Sequence, residues 1–433
     1  MQIHSSNVVN PQRTGTALAH MPAIDGLRGI AILLVLFHHF TPAVSGTWFT
    51  KKLLTGAHTG WVGVDLFFVL SGFLITTILL RTKNTPDYFL NFYARRTLRI
   101  FPIYYLTLAV VLIGLPVLLT LPYVGTAITT LFGRLVSDLP TMINGQSWLW
   151  LYGSNVKIAV AGERWGAVNH FWSLAVEEHF YLVWPIVVYF CSREKLKQVC
   201  LILILSAPIL RAMLMLAGFD SVVPYVLTMT RVDSMAVGGL MAALLAEKNG
   251  LLKWRPRITL AAIVSMVGLA AIAGYHRRLD RDDFVTTFVG YSFLAMVSAW
   301  LVLECGQIKA GTRACKIIAN PVLASLGKYS YGLYVTHMFF AKTFEMMLPW
   351  TTLHRMFGSY GAAIMIHAVL SIAMSWCIAW VCFHAFEKHF LKLKSLFDYR
   401  RPVTHTIPSG RPSNAMAMVF RQVQAARPMR QAA

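Results

Sequence analysis

The residues best suited to chemistry stand in one early stretch, Asp25-Gly-Leu-Arg28-Gly-Ile-Ala-Ile-Leu-Leu-Val-Leu-Phe-His38-His39. An acid and a base open an apolar run, and two imidazoles close it. Wound as one α-helix, the run puts Arg28 and His39 about 20° apart around the axis and about 16 Å apart along it. His38 then points about 80° away from Arg28. An imidazole in this position is a candidate general base, and a guanidinium is a candidate partner for phosphate.

The setting that must position them is a membrane. The chain of 433 residues is 56% hydrophobic and 13% charged, with a mean hydropathy of +0.57. A soluble domain carries about 25% charged residues. Apolar stretches of spanning length are expected at 26–44, 61–80, 100–121, 170–190, 198–217, 222–246, 258–275, 284–304, 321–346 and 358–386. The fold class is therefore all-α: a polytopic integral membrane protein of about ten transmembrane helices.

Charge then sets topology. With the N-terminus cytoplasmic, the inside segments hold 25 Lys and Arg and the outside segments 10. This matches the positive-inside rule and puts both termini in the cytoplasm. The net charge of +21 reports topology and lipid contact. Nucleic-acid binding is not expected, because no compact soluble domain carries the basic residues. Residues 1–24 are polar and lack an apolar core followed by a cleavage site, so no removable signal peptide is expected. Residues 25–390 form the membrane domain, and 391–433 read as a basic, disordered cytoplasmic tail. The one long connection, 122–169, is too short and apolar for a separate domain. It is expected to hold an interfacial or re-entrant piece around Trp148-Leu-Trp-Leu-Tyr152. None of the six cysteines falls in an outside loop and none has CxxC spacing, so neither a disulfide framework nor a metal site is expected.

Ionisable residues inside spans cost roughly 2.5–3.5 kcal/mol each on insertion scales, so they must face partners or a watery cavity. By depth, His39, Asp65, Glu177 and the Arg231-Val-Asp233 pair all fall in the outer half. Asp65 beside His39 would fix the imidazole tautomer and raise its basicity. At the inner face, Arg96 and Arg99 lie three residues apart on one helical face, suited to phosphate, and Arg28 could join them. Positive-inside anchoring accounts for those arginines equally well on spacing alone.

Five stretches occur in order: Asp25-Gly-Leu-Arg28-Gly-Ile-Ala with His39, Gly63-Val-Asp65-Leu-Phe-Phe-Val-Leu-Ser-Gly-Phe73, Arg95-Arg96-x-x-Arg99-Ile-x-Pro-x-Tyr104, Phe171-Trp172-Ser-Leu-x-Val-Glu177-Glu178-x-Phe-Tyr181-Leu, and Ser330-Tyr-Gly-Leu-Tyr-x-x-His337. Together, from about residue 22 to 390, they resemble the acyltransferase-3 family of membrane acyltransferases. The resemblance implies transfer of an acyl group, often acetyl, from cytoplasmic acyl-CoA to a hydroxyl of a sugar, glycolipid or small acceptor at a bacterial inner membrane. It implies that His39 is catalytic and that Arg28, Arg96 and Arg99 handle the acyl-CoA. Asp65 and Glu177 match acidic positions of the pattern. His39 is expected to act as general base or to hold the acyl group transiently, with Asp65 orienting it and Glu177 positioning the acceptor. Asp25, His38, Trp172, Glu178, Tyr181, Arg231, Asp233 and His337 complete an acceptor-binding or structural polar network. Some members carry a fused soluble hydrolase-like domain after the membrane part, and none is expected in these residues.

Two other classes use similar residues. A proton-coupled transporter would also bury His, Asp and Glu, but it calls for paired broken helices and repeat halves, which the sequence does not show. A receptor or scaffold would hold the same charges as structural ion pairs.

Overall fold

The computed structural model describes residues 21–41, 54–162, 165–247, 250–308 and 312–398. The polar segment up to residue 20 and the tail from 399 onward lie outside the described residues. Helices α1 (Pro22–Phe40), α2 (Val62–Thr82), α3 (Tyr88–Ala109), α4 (Pro122–Asn144), α5 (Phe171–Phe190) and α6 (Arg193–Leu216) form the first half. They are followed by α7 (Thr228–Leu245), α8 (Gly250–Tyr275), α9 (Tyr291–Gln307), α10 (Pro321–Met347) and α11 (Tyr360–Cys382). No strand occurs among the described residues.

Among the described residues every expected span overlaps a helix, and the one at 222–246 is broken at Leu227 into Val222–Val226 and α7. Seven helical stretches among the described residues are long and apolar enough to cross a membrane. The other three expected spans correspond to α5, α7 and α10, whose ionisable residues lower their hydropathy. Those residues are the candidates for function. The lipid-facing character is plain on α6 and α8, where Ile202, Leu205, Ile209, Leu260, Val264 and Val267 are all exposed.

Two differences from the sequence reading matter. The third span was expected to open at residue 100, but α3 begins at Tyr88, after Asp87 in a left-handed conformation (φ 57°). Arg96 and Arg99 therefore sit about two and three turns inside the helix. The 122–169 connection is itself largely helical: α4 spans 23 residues, and two short helices follow at Gln146–Trp150 and Ser154–Ala161. The tyrosines of α3 anchor the first short helix, Tyr104 Oη donating to the Leu149 carbonyl (2.7 Å) and Tyr105 Oη to the Trp150 carbonyl (3.1 Å). Helix also extends through Leu393–Phe397, so the first residues assigned to the tail are structured.

Glycines allow the closest helix contacts, as small residues do where backbones approach in a membrane. A Cβ on Gly327 of α10 would lie 1.9 Å from the Asp25 carbonyl oxygen of α1, and one on Gly29 would lie 2.1 Å from the Leu323 oxygen. Gly72 and Gly238 play the same part between α2 and α7, where a Cβ would lie 2.0 Å from the Met235 oxygen and 2.1 Å from the Val69 oxygen. The helix carrying Arg28 and His39 is thereby pressed against the helix carrying Ser330 and His337.

Candidate active site

The interior polar side chains form three separate groups, where the sequence suggests one set in the outer half and a cluster of arginines at the inner face. The first is made of imidazoles at one end of α1. His39 Nδ1 lies 3.0 Å from the Val35 carbonyl oxygen and 3.2 Å from His337 Nε2. His337 Nδ1 lies 3.1 Å from the Leu333 oxygen and 2.9 Å from the Tyr334 oxygen. Carbonyls only accept, so His337 Nδ1 carries a hydrogen and, in the neutral ring, its Nε2 accepts. His39 Nδ1, facing that acceptor and a carbonyl, must be the donor. The lone pair of His39 is then on Nε2. His170 packs against His337 (ring centroids 4.8 Å apart), and His38 turns aside, its Nδ1 at 2.8 Å from the His58 carbonyl. His39 lines a cavity of about 270 Å³ together with Arg134, Asp138, Lys342, Glu345 and Trp350.

Asp65 is not beside His39. It is fully buried and receives a hydrogen bond from Arg231 Nη2 at 2.7 Å and one from Ser234 Oγ at 3.3 Å. The close α2–α7 packing delivers this guanidinium, which neutralises a buried carboxylate more completely than an imidazole hydrogen bond can. Arg231 lies over Tyr291 at 4.1 Å and near Tyr225, Phe68 and Trp172. Trp172 is thus a wall of the cage around Arg231. Asp233 pairs not with its neighbour Arg231 but with Arg211 Nη1 at 2.9 Å, and it also accepts from Ser292 Oγ at 2.7 Å. These pairs make a ladder through α2, α7, α6 and α9. Arg211 falls near the outer end of the expected span 198–217 and is not among the candidate site residues, yet its side chain is fully buried. As a charge at the end of an apolar run it was a signal that went unused.

The third group lies toward the start of α1. Arg28 donates to Ser330 Oγ at 3.0 Å and has Asp25 at 3.9 Å. Arg96 stacks on the Tyr181 ring, its guanidinium carbon 3.9 Å from the centroid, and Tyr181 is hydrogen-bonded to Ser71. Arg28, Arg96 and Arg99 lie close enough to repel one another. Glu177 interacts with all three, Glu178 with Arg96, and Glu387 with Arg99. Lys394 also lies near Arg95, Arg96 and Arg99. Glu177 therefore belongs with the arginines and not with the imidazoles. His170, Glu387 and Lys394 were not picked out by sequence; each stands where only packing gives it a partner. Among the described residues no three His, Cys, Asp or Glu side chains are grouped to hold a metal ion.

Comparison with known proteins follows this geometry. A peptidoglycan O-acetyltransferase of Listeria monocytogenes, OatA, is 28% identical over 331 residues, covering 73% of this chain and 49% of that protein. YrhL of Bacillus subtilis, provisionally named a peptidoglycan O-acetyltransferase, is 27% identical over 379 residues, covering 85% and 54%. The chain spans about half the length of the curated relatives it matches. No solved structure matches it. The model of the acyltransferase domain matches residues 21–384, which include all three polar groups except Glu387 and Lys394, and on that match the chain belongs to the acyltransferase-3 family.

Proposed function

We propose that the protein is a membrane O-acyltransferase of the bacterial inner membrane. It moves an acyl group, acetyl foremost, from cytoplasmic acyl-CoA to a hydroxyl of a carbohydrate or related acceptor. The observation that carries this reading is the orientation of His39. Its Nδ1–H is engaged by Val35 and His337, so Nε2 is the basic nitrogen, and His39 is part of the cavity wall. A general base requires an unprotonated nitrogen within reach of the hydroxyl.

The arginine group fits an anionic donor. Arg96 Nε is buried without a hydrogen-bond partner in the protein. Guanidiniums bind phosphate bidentately, and Arg28, Arg96, Arg99 and Lys394 would hold the phosphates of acyl-CoA. The thioester must then reach along α1, about 16 Å from Arg28 to His39. His39 takes the proton of the acceptor hydroxyl while its oxygen adds to the thioester carbonyl. The C–S bond breaks, a C–O bond replaces it, and the proton passes to the departing thiolate. The relatives named for peptidoglycan support a polysaccharide acceptor.

The test needs no acceptor. Purified wild type in detergent should bind acetyl-CoA and slowly release CoA. His39→Ala should bind it without turnover, and the Arg96→Ala/Arg99→Ala double variant should not bind it. A folded wild type that ignores every acyl-CoA would overturn the reading. So would a His39→Ala variant with normal turnover.

A further inference from the structure

The cavity at His39 has walls that no motif in the sequence marks. One wall is α4, from the segment first read as a connection. It is fixed to α10 by Thr343 Oγ1, which donates to the Leu131 carbonyl at 2.9 Å, and by the Phe132–Phe340 ring contact. This wall presents Arg134 and Asp138, four residues apart and so neighbours on one helical face. Opposite charges at that spacing ordinarily pair, but these two do not.

The reason lies in the turn before α5. Gly166, at φ +51°, leaves a space that the Asp138 carboxylate fills: a Cβ there would lie 1.7 Å from Asp138 Oδ2. The carboxylate lies against the turn. Its Oδ2 is buried and has no hydrogen-bond partner in the protein, and Arg134 makes no ion pair among the described residues. A buried carboxylate oxygen without a donor is costly, so a donor from a ligand is favoured there.

The opposite wall carries the Lys342–Glu345 ion pair and the Trp350 ring. His367 holds the approach to Trp350, its Nδ1 at 2.8 Å from the Leu348 carbonyl. A second cavity of about 470 Å³ shares Arg134, Lys342, Glu345 and Trp350, so the space continues as a trough past the tryptophan.

We propose that this trough is the acceptor subsite and that its occupant is a neutral sugar ring. Each hydroxyl of such a ring both donates and accepts. It can donate to the buried, unpartnered Asp138 oxygen and accept from the exposed Arg134 guanidinium at once. The less polar face of the ring can lie on Trp350. A third hydroxyl would then point toward His39. This subsite rests on the acyltransferase reading and adds Arg134, Asp138 and Trp350 to it as acceptor-positioning residues, with Gly166 holding Asp138 in place.

The experiment uses the full chain in detergent with labelled acetyl-CoA and three probes: methyl glucoside, methyl glucuronide and octanol, a hydroxyl without a ring. Wild type should acetylate methyl glucoside in preference to the other two. Asp138→Asn, Arg134→Gln and Trp350→Phe should each raise the KM for methyl glucoside about tenfold or more. Acetyl-CoA binding, measured separately, should stay within about twofold, which also shows that each variant is folded. Gly166→Ala should behave like Asp138→Asn. Preference for octanol or the glucuronide, no transfer to methyl glucoside, or unchanged KM in all four variants would overturn the subsite. Failure of the acyltransferase reading itself is distinct, because wild type would then neither bind nor consume acetyl-CoA.

Discussion

His337 Nε2 stands 3.2 Å from His39 Nδ1, and the other nitrogen of His337 is held by two carbonyl oxygens of its own helix. One imidazole thereby fixes the tautomer of another, a task more often given to a carboxylate. His337→Phe removes the acceptor and frees His39 to turn or to move its proton. Turnover should fall about 10²-fold, the scale of a misplaced general base, with the KM for acyl-CoA nearly unchanged. His337→Gln, which keeps a side-chain acceptor, should recover part of the loss. Steady-state kinetics that resolve kcat from KM decide this, since a purely structural role would not separate Phe from Gln.

Arg96 is seated on Tyr181 by its π face and on the Glu177 side by charge. Arg96→Ala should weaken acyl-CoA binding by about 10–100-fold, the worth of a lost hydrogen bond to a charged group. Tyr181→Phe keeps the stacking face and should be milder than Tyr181→Ala. Isothermal titration with CoA and with pantetheine checks the assignment: only the phosphate-bearing ligand should respond to Arg96→Ala.

The Asp65–Arg231 pair predicts a stability effect. Asp65→Ala leaves a buried guanidinium without its carboxylate and should cost about 3–5 kcal/mol. The double variant Asp65→Ala/Arg231→Met should be more stable than Asp65→Ala alone. Thermal unfolding in detergent, followed by tryptophan fluorescence, provides the comparison.

The contact between α1 and α10 leaves no space for a side chain at Gly327. Gly327→Val should lower the yield of folded protein and, where protein is recovered, separate His337 from His39. Size-exclusion profiles of the variant beside Val322→Ala, at an exposed position of the same helix, should show loss at Gly327 only.

The sequence by itself determined the class, the ten long helical spans in outline and the family. Long apolar runs leave no other fold, the polar exceptions within them mark the candidate site residues, and the Arg28–His39 relation follows from helix geometry alone. Partners were another matter. The sequence lists charges by depth but does not state which helices touch, so Asp65 was assigned to His39 when the α2–α7 glycine contact gives it to Arg231. Arg211 was not marked as a site residue because its partners, Asp233 and Ser292, come from α7 and α9. Likewise α4 read as a connection, because polar residues, Arg134 and Asp138 of the His39 cavity among them, interrupt its apolar ones before they form a continuous run. Only tertiary packing, which sets helix neighbours through side-chain volume and backbone approach, decided that His39 is oriented by His337 and that Glu177 lies among the arginines.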